Sequence, residues 1–183
     1  MAAPPRRWAA ELLHFWFQSL GPRDWFRGGP RVDETLRKRF ERELTMLCTR
    51  PPGEFLADRQ TAQAAVLLFD QVPRNIYRGQ RRSFAFDPLA RSIAREALRR
   101  GYDNRLGMTE RQFLGMPLMH SEHISDQLRC LAFYRGLPRH GWAFARSHYR
   151  MIARFGRFPH RNELLGRNST DAEERAVKAG FSW

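Results

Sequence analysis

A chain of 183 residues that is 42% hydrophobic is long enough to bury a core of its own, which excludes a disordered protein. Nowhere does an uninterrupted apolar run reach the roughly eighteen residues a membrane-spanning helix needs. Thirty-two basic residues against nineteen acidic ones give a formal charge of +13, so polyanions will adhere at low salt whether or not they are partners, and weak RNA binding in such conditions carries no information.

Of the basic residues only Lys38 and Lys178 are lysines. The arginine excess fits a GC-rich genome as well as a function, although the planar guanidinium fork suits phosphate and carboxylate. Cys48 and Cys130 form no metal or redox motif and read as free thiols of a reducing compartment.

No alternation of β-branched residues and no Asn-Gly or Asp-Gly turn marks a strand, so the chain is read as helices. Met1 to Phe17 has the outline of a secretory leader, but Glu11 and His14 interrupt the apolar stretch and no small-residue cleavage site follows. The segment therefore reads as the first helix of a cytoplasmic protein. That helix is expected from about Trp8 to Leu20, ended by Gly21-Pro22. A second starts near Asp33, with Leu36, Phe40, Leu44 and Leu47 on one face, and stops at Pro51-Pro52-Gly53. The third, about Asp58 to Gln71, is apolar nearly all round, is expected to be central, and is closed by Pro73.

The fourth takes Asp87 as N-cap, Pro88 as its first residue and Gly101 as its left-handed end. Thr109-Glu110-Arg111-Gln112 reads as a capping box opening a segment that Pro117 kinks or breaks. Further helices are expected over Ser121 to Tyr134, over about Ala143 to Phe155 with a stop at Gly156, and from Thr170 to Gly180 with a second box closed by Glu173. Seven or eight helices with short connections predict antiparallel helix pairs in one all-α domain over 1–183. No fixed-period repeat and no tetratricopeptide consensus is visible.

Three stretches place ionisable residues against apolar helix ends. In Phe69 to Gly79, Asp70 ends the most apolar helix and needs a partner, with Arg74 and Arg78 within reach. That pair either ties a helix end or belongs to a site. In Met116 to His123, His120 and His123 stand three apart, without a H-E-x-x-H pattern or a third ligand, so no metal is assigned. Ser121 suits an N-cap and lacks the G-x-S-x-G context of a nucleophile. From His148 to Gly166, arginine alternates with phenylalanine. That pattern suits single-stranded nucleic acid, or two phenylalanines that bury themselves while the arginines stay wet.

Together with Phe15-Trp16-Phe17 and Trp25-Phe26, the segments Asp70-Gln71, Pro73 to Gly79, Met119-His120-Ser121-Glu122, Arg154 to Asn162, Leu165-Gly166-Arg167 and Ser169-Thr170 resemble the signature of a bacterial family known as domain of unknown function 924. The resemblance covers nearly the whole chain. It implies an all-helical fold similar to tetratricopeptide-repeat proteins and no established activity, so it assigns positions without roles. Two positions depart from the family's pattern. Gly115 replaces an aromatic residue, which predicts an enlarged or looser pocket beside His120, and His123 replaces an acidic one, adding positive charge.

The three stretches are expected to share one cleft for an anionic small molecule. Arg74, Arg154 and Arg161 hold phosphate or carboxylate, Asn75 and Asn162 orient it, and Asp70, Arg78 and His148 line the same place. His120, assisted by Glu122, His148 or His160, moves a proton near neutral pH, which suits hydrolysis or transfer on a phosphorylated small molecule or an RNA end. Two alternatives stand beside this: a non-catalytic RNA-binding protein that uses Phe155 and Phe158, and a peptide adaptor with an open groove and no enclosed pocket. The sequence identifies no cofactor, and the oligomeric state is not legible in it.

Overall fold

The apolar periodicity folds into helices throughout: the computed structural model describes residues 6–181, and no strand occurs among them. Residues 1–5 and 182–183, the ends of the expected domain and the start of the leader-like stretch, lie outside the described residues.

Helix α1 (Arg7–His14) is prolonged by a wide π turn, Phe15–Ser19, and buries Leu12, Phe15 and Trp16. Periodicity did not flag α2 (Pro22–Arg27), one and a half turns started by Pro22 and by the Gly21 N–H donating to Asp24 Oδ2 at 3.0 Å. Helix α3 (Pro30–Leu47) buries Val32, Leu36, Phe40 and Leu44 at four-residue steps. It begins three residues before Asp33 because proline suits the first helical position.

Asp58 caps α4 (Arg59–Val66) by accepting the Thr61 N–H at 2.8 Å. Every residue from Thr61 to Pro73 is buried, which makes this the central helix. Pro73 does not close it. The helix widens to a π turn over Leu67–Gln71, where the Val72 N–H donates to the Leu67 carbonyl, and α5 (Val72–Ile76) continues beyond. The widening places Pro73 in the first turn of a new segment, where no N–H is needed. Such turns recur at functional sites.

Helix α6 (Asp87–Arg99) ends with Gly101 at φ +67°, the left-handed stop read from the sequence. Helix α7 (Met108–Met119) starts where the Gly107 N–H donates to Glu110 Oε2 at 2.8 Å, so Thr109–Gln112 lies inside the helix and does not open it. It runs through Pro117 and stops at Met119. There the buried Gln127 amide donates to the carbonyls of Met119 and Ser121, each at 2.7 Å. Helix α8 (Ile124–Tyr134) starts three residues after Ser121, whose hydroxyl donates to Asp126 Oδ2 at 2.9 Å and fixes the break. Helix α9 (Arg139–Phe155) begins before Ala143 and ends at Gly156, φ +69°. In α10 (Asp171–Lys178) the box forms as read: Thr170 Oγ1 accepts from the Glu173 N–H, and Glu173 Oε2 from the Thr170 N–H.

The α4–α5 axis packs on α1, α3, α6 and α7, and α6 to α9 then follow as successive neighbours. The Phe113 ring gathers Trp16, Trp25 and Phe26 at 5.4 to 6.2 Å, joining the first two helices to α7. Gly115 does not enlarge a pocket. A Cβ there would lie 2.5 Å from Phe133 Cε1, so the space a side chain would take is already filled by Phe133 from α8.

Candidate functional site

Asp70 stands in the π turn with no solvent exposure, a position no carboxylate holds without partners. It has three. His120 Nδ1 lies 2.7 Å from Oδ1, the Gln71 amide donates to Oδ2, and Arg74 Nη1 is 3.4 Å from Oδ1. Arg74 also donates to the Asp70 carbonyl at 2.7 Å and forks onto Asp87 at 2.8 and 2.9 Å. Asp87, read from the sequence as a helix cap, instead opens α6 as its first residue and spends its carboxylate on Arg74. Burial drives the Asp70 carboxyl up, but Arg74, His120 and Gln71 together outweigh it and hold it well below the ordinary range. For Arg74, Asp70 and Asp87 likewise overcome burial and raise the guanidinium further.

An ionised Asp70 needs a donor, so His120 carries its proton on Nδ1 and keeps the lone pair on Nε2. Burial, with Arg74 adding, lowers the proton affinity of His120 despite Asp70. The imidazole is therefore neutral at pH 7 and has a proton acceptor to offer. The His148 ring lies 6.2 Å away between centroids, with Nδ1 2.9 Å from the Phe144 carbonyl. Phe158 is 5.5 Å from His148 and 5.7 Å from His160.

Arg161 is only 6% exposed. Its guanidinium carbon lies 4.7 Å from the Phe84 ring centre and 4.5 Å from that of Phe158. Its nearest charge is Asp87 at 3.5 Å, and among the described residues its side chain makes no hydrogen bond. Burial, reinforced by Arg74, depresses it to about 10, still protonated at neutral pH.

These groups border a cavity of about 510 Å³. Arg74, Asn75, Arg78, His120, His148, His160 and Arg161 line it, as do Gln71 and Gln112; Asp70 backs His120 from behind. Asn75 donates to the Gln71 carbonyl at 2.9 Å and accepts from Arg78 at 3.1 Å, while Arg78 forks onto Asp33. Gly28, at φ +61°, lets Arg78 come this close: a Cβ would stand 2.4 Å from its Nη2. No Asp or Glu lines the wall.

Three expected members lie elsewhere. Glu122 is a strap, accepting the Phe158 N–H at 2.8 Å and the Arg167 fork at 2.8 and 3.0 Å, so it ties the segment after α9 to the end of α7 and does not assist His120. Arg154, six residues from His148, lies about 240° round α9; it is exposed over Phe155 and does not line the cavity. Asn162 faces Ser169 at 3.0 Å and fixes the following loop. His123 is exposed, and Phe158 is fully buried, which removes it as a stacking platform for bases. No group of three or more His, Cys, Asp or Glu suited to a metal occurs among the described residues. Sequence reasoning missed Asp87, Phe84 and the mouth residues Phe26 and Phe144. Only Phe26 carried any signal, as part of Trp25-Phe26.

The histidines give the protein an acid-sensitive stability. Burial, with His120 adding, takes His148 down to about 3; burial, with Arg161 adding, takes His160 to about 4. Folded, both refuse protons that the unfolded chain accepts near 6.5. Their contribution is therefore complete above pH 6.5 and shrinks as pH falls toward 4. His148 alone accounts for about 2 kcal/mol lost by pH 5. The urea midpoint is expected to fall between pH 7.5 and pH 5, and a flat midpoint would refute buried neutral histidines.

The family model for a bacterial protein of unknown function, DUF924, matches residues 12–180. Among solved structures, that of a protein of unknown function, ATU0120 from Agrobacterium tumefaciens, is similar at 35% identity and a TM-score of 0.89, over 94% of this chain and 97% of that one. No curated protein matches. With all but its first eleven and last three residues inside the family model, the chain belongs to the DUF924 family.

Proposed function

We propose that the cavity binds the oxyanion of a small molecule, with Arg161 as its principal contact and His120 as the acceptor of a proton from the ligand or from a water beside it. One observation carries this: a buried, protonated guanidinium that makes no side-chain hydrogen bond among the described residues, with its Nε sealed and unmet and its Nη1 no nearer than 3.5 Å to Asp87. Charge is not what is lacking, since Arg74 and Arg161 balance Asp70 and Asp87. Hydrogen-bond acceptors are lacking. Asp87 Oδ2 stands 3.5 Å from Arg161 Nη1 without forming a hydrogen bond, and a buried donor left unmet costs about 1–3 kcal/mol, more when charged. An oxyanion supplies what the fold withholds. A neutral imidazole held by a buried carboxylate, next to such a site, is the equipment of hydrolysis or group transfer.

Phosphate or carboxylate arriving at Arg161 stabilises the folded protein by RT ln(1 + L/Kd), L being the free anion concentration. Acetate or inorganic phosphate, titrated at constant ionic strength against chloride, is expected to raise the thermal midpoint, the rise growing with the logarithm of anion concentration above Kd. No rise with either anion beyond the chloride control would overturn the reading. The free thiols of Cys48 and Cys130 accord with a cytoplasmic setting for this activity.

A further inference from the structure

The anion subsite fills little of its cavity. A carboxylate or phosphate group occupies roughly a tenth of a space of some 510 Å³, a size that accommodates drug-sized ligands. Much of the remaining wall is apolar and aromatic, formed by Trp25, Phe26, Phe144, Met116 and Met119, with Arg27, Gln71, Ser83 and Gln112 as its other polar members. Two of these are large rings that folding leaves in water, Phe26 at 56% and Phe144 at 50% exposure. Phe26 has one face on Phe113 and keeps more than half of its surface open, and an apolar ligand entering between it and Phe144 would be shielded from water on its way to Arg161.

The head group is narrowed by the charges around it. Arg74 is committed to two carboxylates and Arg78 to Asp33, so Arg161 is the one buried cation lining the cavity whose donors are open, among the described residues. Phe84 and Phe158 lie against its guanidinium, which favours approach to the in-plane N–H edge. A single fork presented edge-on matches a planar, singly charged carboxylate. A phosphate monoester brings close to two negative charges and has one buried open cation to meet them; the other arginine at the wall unpaired among the described residues, Arg27, is exposed and screened by water.

We propose, on the basis of the oxyanion reading above, that the ligand is an aromatic monocarboxylic acid, its carboxylate on Arg161 and its ring between Phe26 and Phe144. The site then discriminates twice: by the ring against small acids, and by charge against phosphates.

Isothermal titration of the wild-type protein with acetate, 3-phenylpropionate, inorganic phosphate and phenyl phosphate tests both discriminations, with Trp25 emission as a second readout. Binding of 3-phenylpropionate at least tenfold tighter than acetate, and tighter than phenyl phosphate, is expected. Phe144→Ser, at a half-exposed position, is expected to weaken 3-phenylpropionate about tenfold with the thermal midpoint of the ligand-free protein unchanged. Acetate and 3-phenylpropionate binding alike would overturn the aromatic body and leave the oxyanion site standing. Phenyl phosphate binding tighter would overturn the carboxylate. Failure of all four anions to bind would overturn both this proposal and the oxyanion reading.

Discussion

Arg161→Met is expected to leave the ligand-free protein as stable as before, to within about 1 kcal/mol, and to abolish its stabilisation by anions. The two effects part because the guanidinium is poorly served in the empty protein. It stacks on Phe84 and Phe158 and reaches Asp87 only at 3.5 Å, yet it bears the full desolvation of a 6% exposed cation. Methionine keeps much of the stacked volume and removes the buried charge, an exchange that is often neutral or stabilising. Asp87 keeps both bonds from Arg74. With an anion present the balance reverses: losing one side of a buried charge-assisted contact costs about 2–5 kcal/mol, on the order of thirtyfold or more in affinity. Thermal midpoints with and without acetate, in wild type and variant, measure both quantities at once. A variant several kcal/mol less stable that still responds fully to anions would make Arg161 a structural strut.

Much of the helical framework was legible because helix signals are local. Gly101 and Gly156 stop helices where a left-handed residue is needed, and Thr170 with Glu173 caps α10, each within a few positions of chain. The prolines misled for the opposite reason. Whether Pro73 ends a helix depends on whether the preceding turn can widen, and that turn lies wholly inside the core. The gathering of the Asp70, His120 and His148–Arg161 stretches could be inferred because ionisable groups inside apolar helices require partners. Which partner each one takes is decided by tertiary distance. Arg154 and Arg161 look alike in a run of arginines and phenylalanines, yet one faces water from the far side of α9 and the other is sealed against two rings. Glu122 beside His120 looks like its assistant and is instead bound to Arg167, forty-five residues along the chain. Asp87 had every local mark of an N-cap and none of its pairing with Arg74, thirteen residues back.

Arg74 provides the contrasting substitution, and Arg74→Met is expected to lose about 3–5 kcal/mol, because it leaves buried carboxylates without the cation that both share. At the size of this chain that corresponds to a midpoint lowered by roughly 10 °C or more. The two carboxylates do not suffer equally. Asp87 is part-exposed and retains Arg161 at 3.5 Å, whereas Asp70 is sealed and retains only Gln71 and His120. Arg74 also helps keep His120 neutral, so its removal lets the imidazole take a second proton and become the missing countercharge. His120 in the variant therefore titrates higher than in wild type, so through this group the variant gains stability relative to wild type as pH falls. Wild type loses stability over the same interval through its neutral histidines. The gap between the two proteins is thus expected to be widest near pH 8 and to narrow by pH 6. Urea unfolding at both values measures it, and a gap below about 1 kcal/mol that does not change with pH would show that Asp70 does not depend on Arg74.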